Sequence, residues 1–201
     1  MKKIIAVLAV ASGLLLTGCS EAQTAATLGD VKISQAELQS TVDSILKERT
    51  KVDTTQMQLE TGEALNRGQL RFKILMNVFA EIAKELKLDV TPALLAQKRA
   101  SLVETIGGEA NLQKNLVNAT IAPDDFDIYV RAIVINEQIA KALGDSGVTQ
   151  DQIDTKIAQL LSAKAVELKV NINPRYGKWD AATGDISPSN PAGAAVTPST
   201  K

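Results

Sequence analysis

The sequence predicts a mainly α-helical domain with a small sheet joining strands from the N- and C-terminal ends of the folded part. Three observations carry this expectation. Apolar residues make up 45% of the 201 residues but aromatics only 3%, so the core is left to Leu, Ile, Val and Ala. Through most of the chain the apolar side chains recur at three- and four-residue spacing, the repeat of one helix face. Alternating, strand-like patterns occur only at Ala25–Ile33 and Leu168–Ile172. The length fits one domain.

Taken in order, Ala25–Ile33 reads as two short strands around Gly29-Asp30, a two-residue hairpin turn with glycine at its first central position. Ser34-Gln35-Ala36-Glu37 has the spacing of a capping box and opens a helix carrying Leu38, Val42, Ile45 and Leu46. A longer helix is expected over Glu63–Leu86, with Leu75, Val78, Phe79, Ile82 and Leu86 on one face and Gly68 as an internal cost. Thr91-Pro92 restarts the chain as a third helix, threonine capping and proline taking the first helical position, and Gly107-Gly108 ends it. A short helix follows around Leu112 and Leu116. Pro123-Asp124-Asp125 opens the next long one, whose acids suit the positive end of the helix dipole. Its apolar arc from Phe126 to Leu143 is wide enough to be packed on several sides or to line a groove. Thr149-Gln150-Asp151-Gln152 reads as a second capping box before the last helical stripe, Ile153 to Leu168. Leu168, Val170 and Ile172 then alternate as a strand that Pro174 ends. Residues 181–201 are mostly Ala, Gly, Pro, Ser and Thr, a composition that predicts a disordered tail.

Composition also removes several chemistries. With no histidine there is no serine–histidine triad and no imidazole acid–base catalyst. One cysteine permits neither an internal disulfide nor a CxxC redox or metal site. A formal net charge of −1 does not suit a nucleic-acid binder, which needs a basic face. The sequence therefore predicts no enzyme, no cofactor and no metal.

Localisation is written at the start. Lys2 and Lys3 precede an apolar run, Ile4 to Leu16, too short to cross a bilayer as a stable helix and suited to a signal peptide over residues 1–18. The run ends in Leu16-Thr17-Gly18-Cys19, which resembles the bacterial lipobox. That resemblance implies lipidation at Cys19, a short tether over 19–24 and a folded domain over 25–180. Two acyl chains give stable membrane attachment where one is marginal. The expected place of work is the outer face of the cytoplasmic membrane or the cell envelope, where no ATP is available.

Several stretches together resemble the SurA-type extracytoplasmic chaperones, specifically their N-terminal chaperone domain. They are Gly29-Asp30-Val31-Lys32-Ile33-Ser34 with the helix behind it, the passage from Gln69 through Ala83-Lys84-Glu85-Leu86-Lys87-Leu88 to Pro92, and the helix from Pro123 to Leu143. The closing Val170-Asn171-Ile172-Asn173-Pro174-Arg175-Tyr176-Gly177-Lys178-Trp179 is similar to an ending found in lipoprotein members from high-GC Gram-positive bacteria. The chain departs from the family in having Leu28, where Asn is commoner, before the turn glycine. It also has neither the histidines nor the spare length for a parvulin-type isomerase domain. The resemblance implies a trigger-factor-like helical scaffold and an ATP-independent holdase for unfolded or newly translocated proteins. An adaptor lipoprotein with one dedicated envelope partner is the alternative.

Four aromatics are candidates for client contact: Phe126, Tyr129, Tyr176 and Trp179. Each also has a packing reading. Phe126 and Tyr129 lie at helical spacing and suit a core, while Tyr176 and Trp179 can cover the end of a strand, with Arg175 paired to a carboxylate. Asp124, Asp125 and Asp127 are explained by a helix start and lack the glycine and bidentate glutamate of a calcium loop.

Overall fold

A computed structural model describes residues 23–189; the signal segment, Cys19, most of the tether and residues 190–201 lie outside the described residues. The described chain is mainly helical, with six α-helices and a small antiparallel sheet built from its two ends. None of its helices is long and apolar enough to cross a membrane.

Strands β1 (Thr24–Leu28) and β2 (Val31–Ser34) form the expected hairpin, Leu28 pairing with Val31 across Gly29-Asp30. Gly29 takes φ +54°, and its N–H donates to the Leu168 carbonyl at 2.7 Å. That contact seats the hairpin turn on the end of the last helix. Ser34 caps helix α1 (Gln35–Arg49), its Oγ accepting from the Glu37 N–H at 3.0 Å. Glu37 does not supply the return half of the box; its carboxylate lies 3.3 Å from Lys73 Nζ.

Helix α2 (Gly62–Glu85) is the centre of the molecule. Leu70, Ile74, Val78 and Ile82 are its fully buried line, one step round from the predicted face, so Leu75 and Phe79 are half-buried and Leu86 is exposed. At Gly68 a Cβ would meet only Glu60 Oε2, at 2.9 Å, the end of an exposed side chain that can move aside, so the packing does not demand glycine there. Helix α3 (Pro92–Thr105) starts on Thr91, whose hydroxyl accepts from the Leu94 N–H at 3.3 Å, and α4 (Glu109–Ala119) follows the glycine pair. A 3-10 turn, Pro123–Asp125, leads into α5 (Phe126–Asp145). The wide arc of α5 is explained by its neighbours, because α2, α3 and α6 (Gln150–Glu167) all pack against it.

Three expectations are corrected. The Thr149 side chain makes no cap; its backbone carbonyl accepts from the Gln152 N–H at 2.9 Å instead. The predicted strand over Leu168–Ile172 shrinks to β3 (Asn171–Ile172), which pairs with β1 through Ala26↔Ile172 and Thr27↔Asn171. Leu168 closes α6, Lys169 turns left-handed at φ +52°, and the Val170 N–H reaches back to the Ala165 carbonyl. This is a Schellman-type end, so the alternation there came from a helix terminus tucking its apolar residues inward. Third, the expected tail does not begin at 181. Strands β4 (Lys178–Asp180) and β5 (Asp185–Ser187) form a hairpin with Trp179 opposite Ile186. Ile186 is buried in the main core, and Arg71 Nε donates to the Gly184 carbonyl at 2.7 Å. Trp179 and Ala181 pack beside Ile186 on that core, and Gly177 is required: at φ +128° a Cβ would collide with the Ser187 carbonyl.

Helix α4 ends on Thr120 at φ +56°, with the Ile121 N–H bonded to the Leu116 carbonyl at 2.9 Å. A β-branched residue is poorly suited to that left-handed position, at a cost of about 1–2 kcal/mol. Thr120→Gly keeps the backbone bonds and is expected to stabilise the fold by about 1 kcal/mol after the entropy of the unfolded glycine is subtracted. Thermal unfolding should show a midpoint about 2–4 °C higher.

Candidate functional site

The apolar interior is divided. A main cluster gathers the sheet, α2, α6 and the second half of α5. A smaller one, Val103, Leu116, Ile121, Phe126 and Val130, holds α3 and α4 to the beginning of α5. Helices α3 and α4 thus form an arm with a little core of its own.

Polar residues of α2 clamp the joint between arm and body. Gln69 Nε2 donates to the Thr120 carbonyl at 2.9 Å, fixing the segment that leaves the arm. One turn on, Lys73 Nζ lies 3.5 Å from Asp125 Oδ1 and 3.3 Å from Glu37 Oε1. Lys73 and Asp125 are both buried. Burial pushes the Asp125 carboxyl above its ordinary value, outweighing the opposing pull of Lys73. Asp125 Oδ2 and Gln69 Oε1 are buried without a hydrogen-bond partner among the described residues. An inward Asp125 differs from the expected role of that acid at a helix start, and Asp124 and Asp127 point to solvent. The three aspartates do not converge, and no cluster of metal-ligating side chains occurs among the described residues.

The four candidate aromatics separate into two pairs. Phe126 is buried in the arm cluster with the Arg99 guanidinium 5.5 Å above its ring, and Tyr129 packs against the edge of that cluster. Both serve packing. Tyr176 and Trp179 pack partly against the main core, with the Trp179 Nε1 buried and without a hydrogen-bond partner among the described residues. Arg175 does not find the expected carboxylate; its Nη1 donates to Gln35 Oε1 at 2.8 Å, and its guanidinium lies over the Tyr176 ring. Tyr176 lines a cavity of about 380 Å³ between α1, α2 and the 3-10 turn Pro174–Tyr176.

The apolar openings lie elsewhere. A groove of about 340 Å³ between the end of α1 and α4 is lined by Leu112, Leu116 and Pro123 and rimmed by Glu48 and Glu109. The Glu48 carboxyl is held below its ordinary value by hydrogen bonds from Lys51 and Gln113, and Glu109 is paired with Arg99, so both rim acids carry a cationic partner. A smaller opening of about 120 Å³, lined by Met76, Ala80 and Ile128 among others, separates α2 from α5. The sequence offered the wide arc from Phe126 to Leu143 as a groove face and gave no pointer to α4. Its signal was faint: Leu112 and Leu116 are the only leucines on a short polar helix, Leu116 buried in the arm cluster and Leu112 only partly covered.

Set against protein-family models, curated proteins and solved structures, the chain matches none, so its function is argued from these surfaces and from the signals in its sequence.

Proposed function

We propose that the chain is a lipid-anchored, ATP-independent holdase of the cell envelope, a SurA-type chaperone module. The observation that carries this reading is the open apolar groove on the arm, with Leu112, Leu116 and Pro123 at its floor. An exposed apolar surface of this kind marks a place for another chain. Its few side chains suit weak, reversible contact with apolar segments. The lipobox-like Leu16-Thr17-Gly18-Cys19 supports a place at the membrane surface.

The test is aggregation of several unrelated denatured proteins, followed by light scattering, with a chain starting at Ser20. Suppression across clients is expected at near-stoichiometric amounts. Leu112→Gln should weaken it about fivefold, the equivalent of roughly 1 kcal/mol of lost apolar contact. Cys19→Ala is expected to move the full chain from the membrane to the soluble fraction, and retention in the membrane would defeat the anchor.

One observation favours the adaptor reading. The large exposed apolar side chains are distributed along the chain, with Leu46 on α1, Leu86 just past the end of α2, Ile128 on α5 and Val166 on α6. Absence of suppression, with capture of a single envelope protein, would decide for it.

A further inference from the structure

We infer that the polar cavity beside the N-terminal exit is a binding site for the phosphate of an anionic membrane lipid. The cavity, about 380 Å³, brings together Gln35 and Gln39 of α1, Asn66 and Arg67 of α2, and Arg175 and Tyr176. Two guanidinium groups from separate elements therefore share one concave surface. Arginine suits phosphate because its planar fork of donors matches the oxygens of the anion.

The surrounding charge leaves that surface cationic. Glu63 is the one carboxylate lining the cavity. It sits 3.6 Å from Arg67, and its side chain is 86% exposed, so the contact is long and solvent-screened. Arg175 is held by a neutral amide, Gln35, and by the face of Tyr176, which position the guanidinium without cancelling its charge. Burial pushes the Tyr176 hydroxyl above its ordinary value, so it stays a neutral donor at physiological pH.

Position identifies the source of the phosphate. Gln35 lines the cavity and its backbone N–H donates to the Gln23 carbonyl at 2.8 Å. Asn173 Nδ2 donates to the Thr24 carbonyl at 3.1 Å on the other side of the exit. Cys19 is four residues before Gln23, and four residues span no more than about 14 Å. This step rests on the anchor reading: with Cys19 in the bilayer, the arginine cavity is held at headgroup level. The anchor would then hold the domain by one end, and the cavity would fix which face it turns to the membrane. The arm groove, between α1 and α4, would be held in a fixed relation to the surface.

The experiment omits the lipid anchor at Cys19, so that it can fail independently of the anchor and of client binding. The chain from Ser20 retains every described element. It is floated with vesicles of phosphatidylglycerol and phosphatidylcholine, with phosphatidylcholine vesicles alone, and with inorganic phosphate as competitor. Binding to the anionic vesicles is expected, and roughly fivefold is lost for each arginine removed. Arg175→Gln, which alters an exposed side chain, gives the single step; Arg67→Gln with Arg175→Gln gives the double. Lys141→Gln with Lys156→Gln is the control of equal charge on exposed positions of α5 and α6, and should change binding less than twofold. Equal losses in both doubles would overturn the site in favour of diffuse charge. Binding of inorganic phosphate without binding to anionic vesicles would overturn the lipid assignment, as would no vesicle binding at all. Circular dichroism on each variant ensures that a loss of binding is not a loss of fold.

Discussion

Lys73→Met is expected to destabilise the protein by about 3–5 kcal/mol, because it removes one partner of a buried charge pair and leaves the other. Methionine keeps most of the lysine volume, so the loss is electrostatic. Asp125 would stay buried with one oxygen already lacking a donor, and Glu37 would lose its contact to Nζ. The environment of Asp125 disfavours its charge even with Lys73 present, since burial dominates and Glu37 and Asp124 act in the same direction. A carboxyl raised in the folded state adds stability that is complete below its unfolded value, near 3.8, and is lost as pH rises through the folded value. The stability of wild type relative to Asp125→Asn should therefore fall as pH climbs from about 3.8, in urea unfolding measured from acid to neutral pH. The same raised value makes Lys73→Met least costly in acid, where Asp125 takes up a proton. Replacing both partners, Lys73→Met with Asp125→Leu, should recover most of the loss, as apolar replacement of buried pairs often does. A double variant as unstable as the single would show that the joint depends on something other than this pair.

The balance between what the sequence revealed and what it concealed follows physical lines. The Gly29-Asp30 hairpin, the Ser34 and Thr91 caps and the glycine stop at 107–108 were legible because each is decided by a few neighbouring residues. Joining of the two chain ends was legible because period-2 segments occur only there. The Leu168–Val170 stretch misled because a Schellman end and a strand both place alternate residues inward, and Lys169 does not announce a left-handed turn as glycine would. The β4–β5 hairpin was hidden by averaging: its docking depends on Ile186 and on space at Gly177, and composition over twenty residues dilutes both. At the candidate sites, sequence correctly offered packing as the alternative for Phe126 and Tyr129. It could not see that Lys73 and Asp125, fifty-two positions apart, meet, or that Arg67 and Arg175 share a cavity. Such pairings are products of how α2 crosses α1 and of where the C-terminal segment returns. No local pattern encodes them.

Phe126→Ala should cost about 3–5 kcal/mol, and the loss should fall on the arm and not on the whole molecule. Phe126 is the largest side chain among the buried residues of a small cluster, so no neighbour of comparable size can close the cavity. The same substitution removes the ring beneath Arg99, whose remaining partners are Glu109, at 2.7 Å and exposed, and a distant Asp127. Neither exposed pair can hold α3 and α4 against the loss. The main core contains none of these residues and keeps its buried line through α2. Amide hydrogen exchange should therefore show α3 and α4 opening at far lower free energy than α2, with Leu70 to Ile82 protected at close to the wild-type level. Uniform loss of protection would mean that arm and body unfold as one unit. The variant also bears on function, since the groove at Leu112 and Leu116 exists only while α4 is held against α1. If clients bind that groove, suppression of aggregation should decline with the arm's protection under conditions that leave the main core folded. Suppression that survives an open arm would place client binding elsewhere on the body.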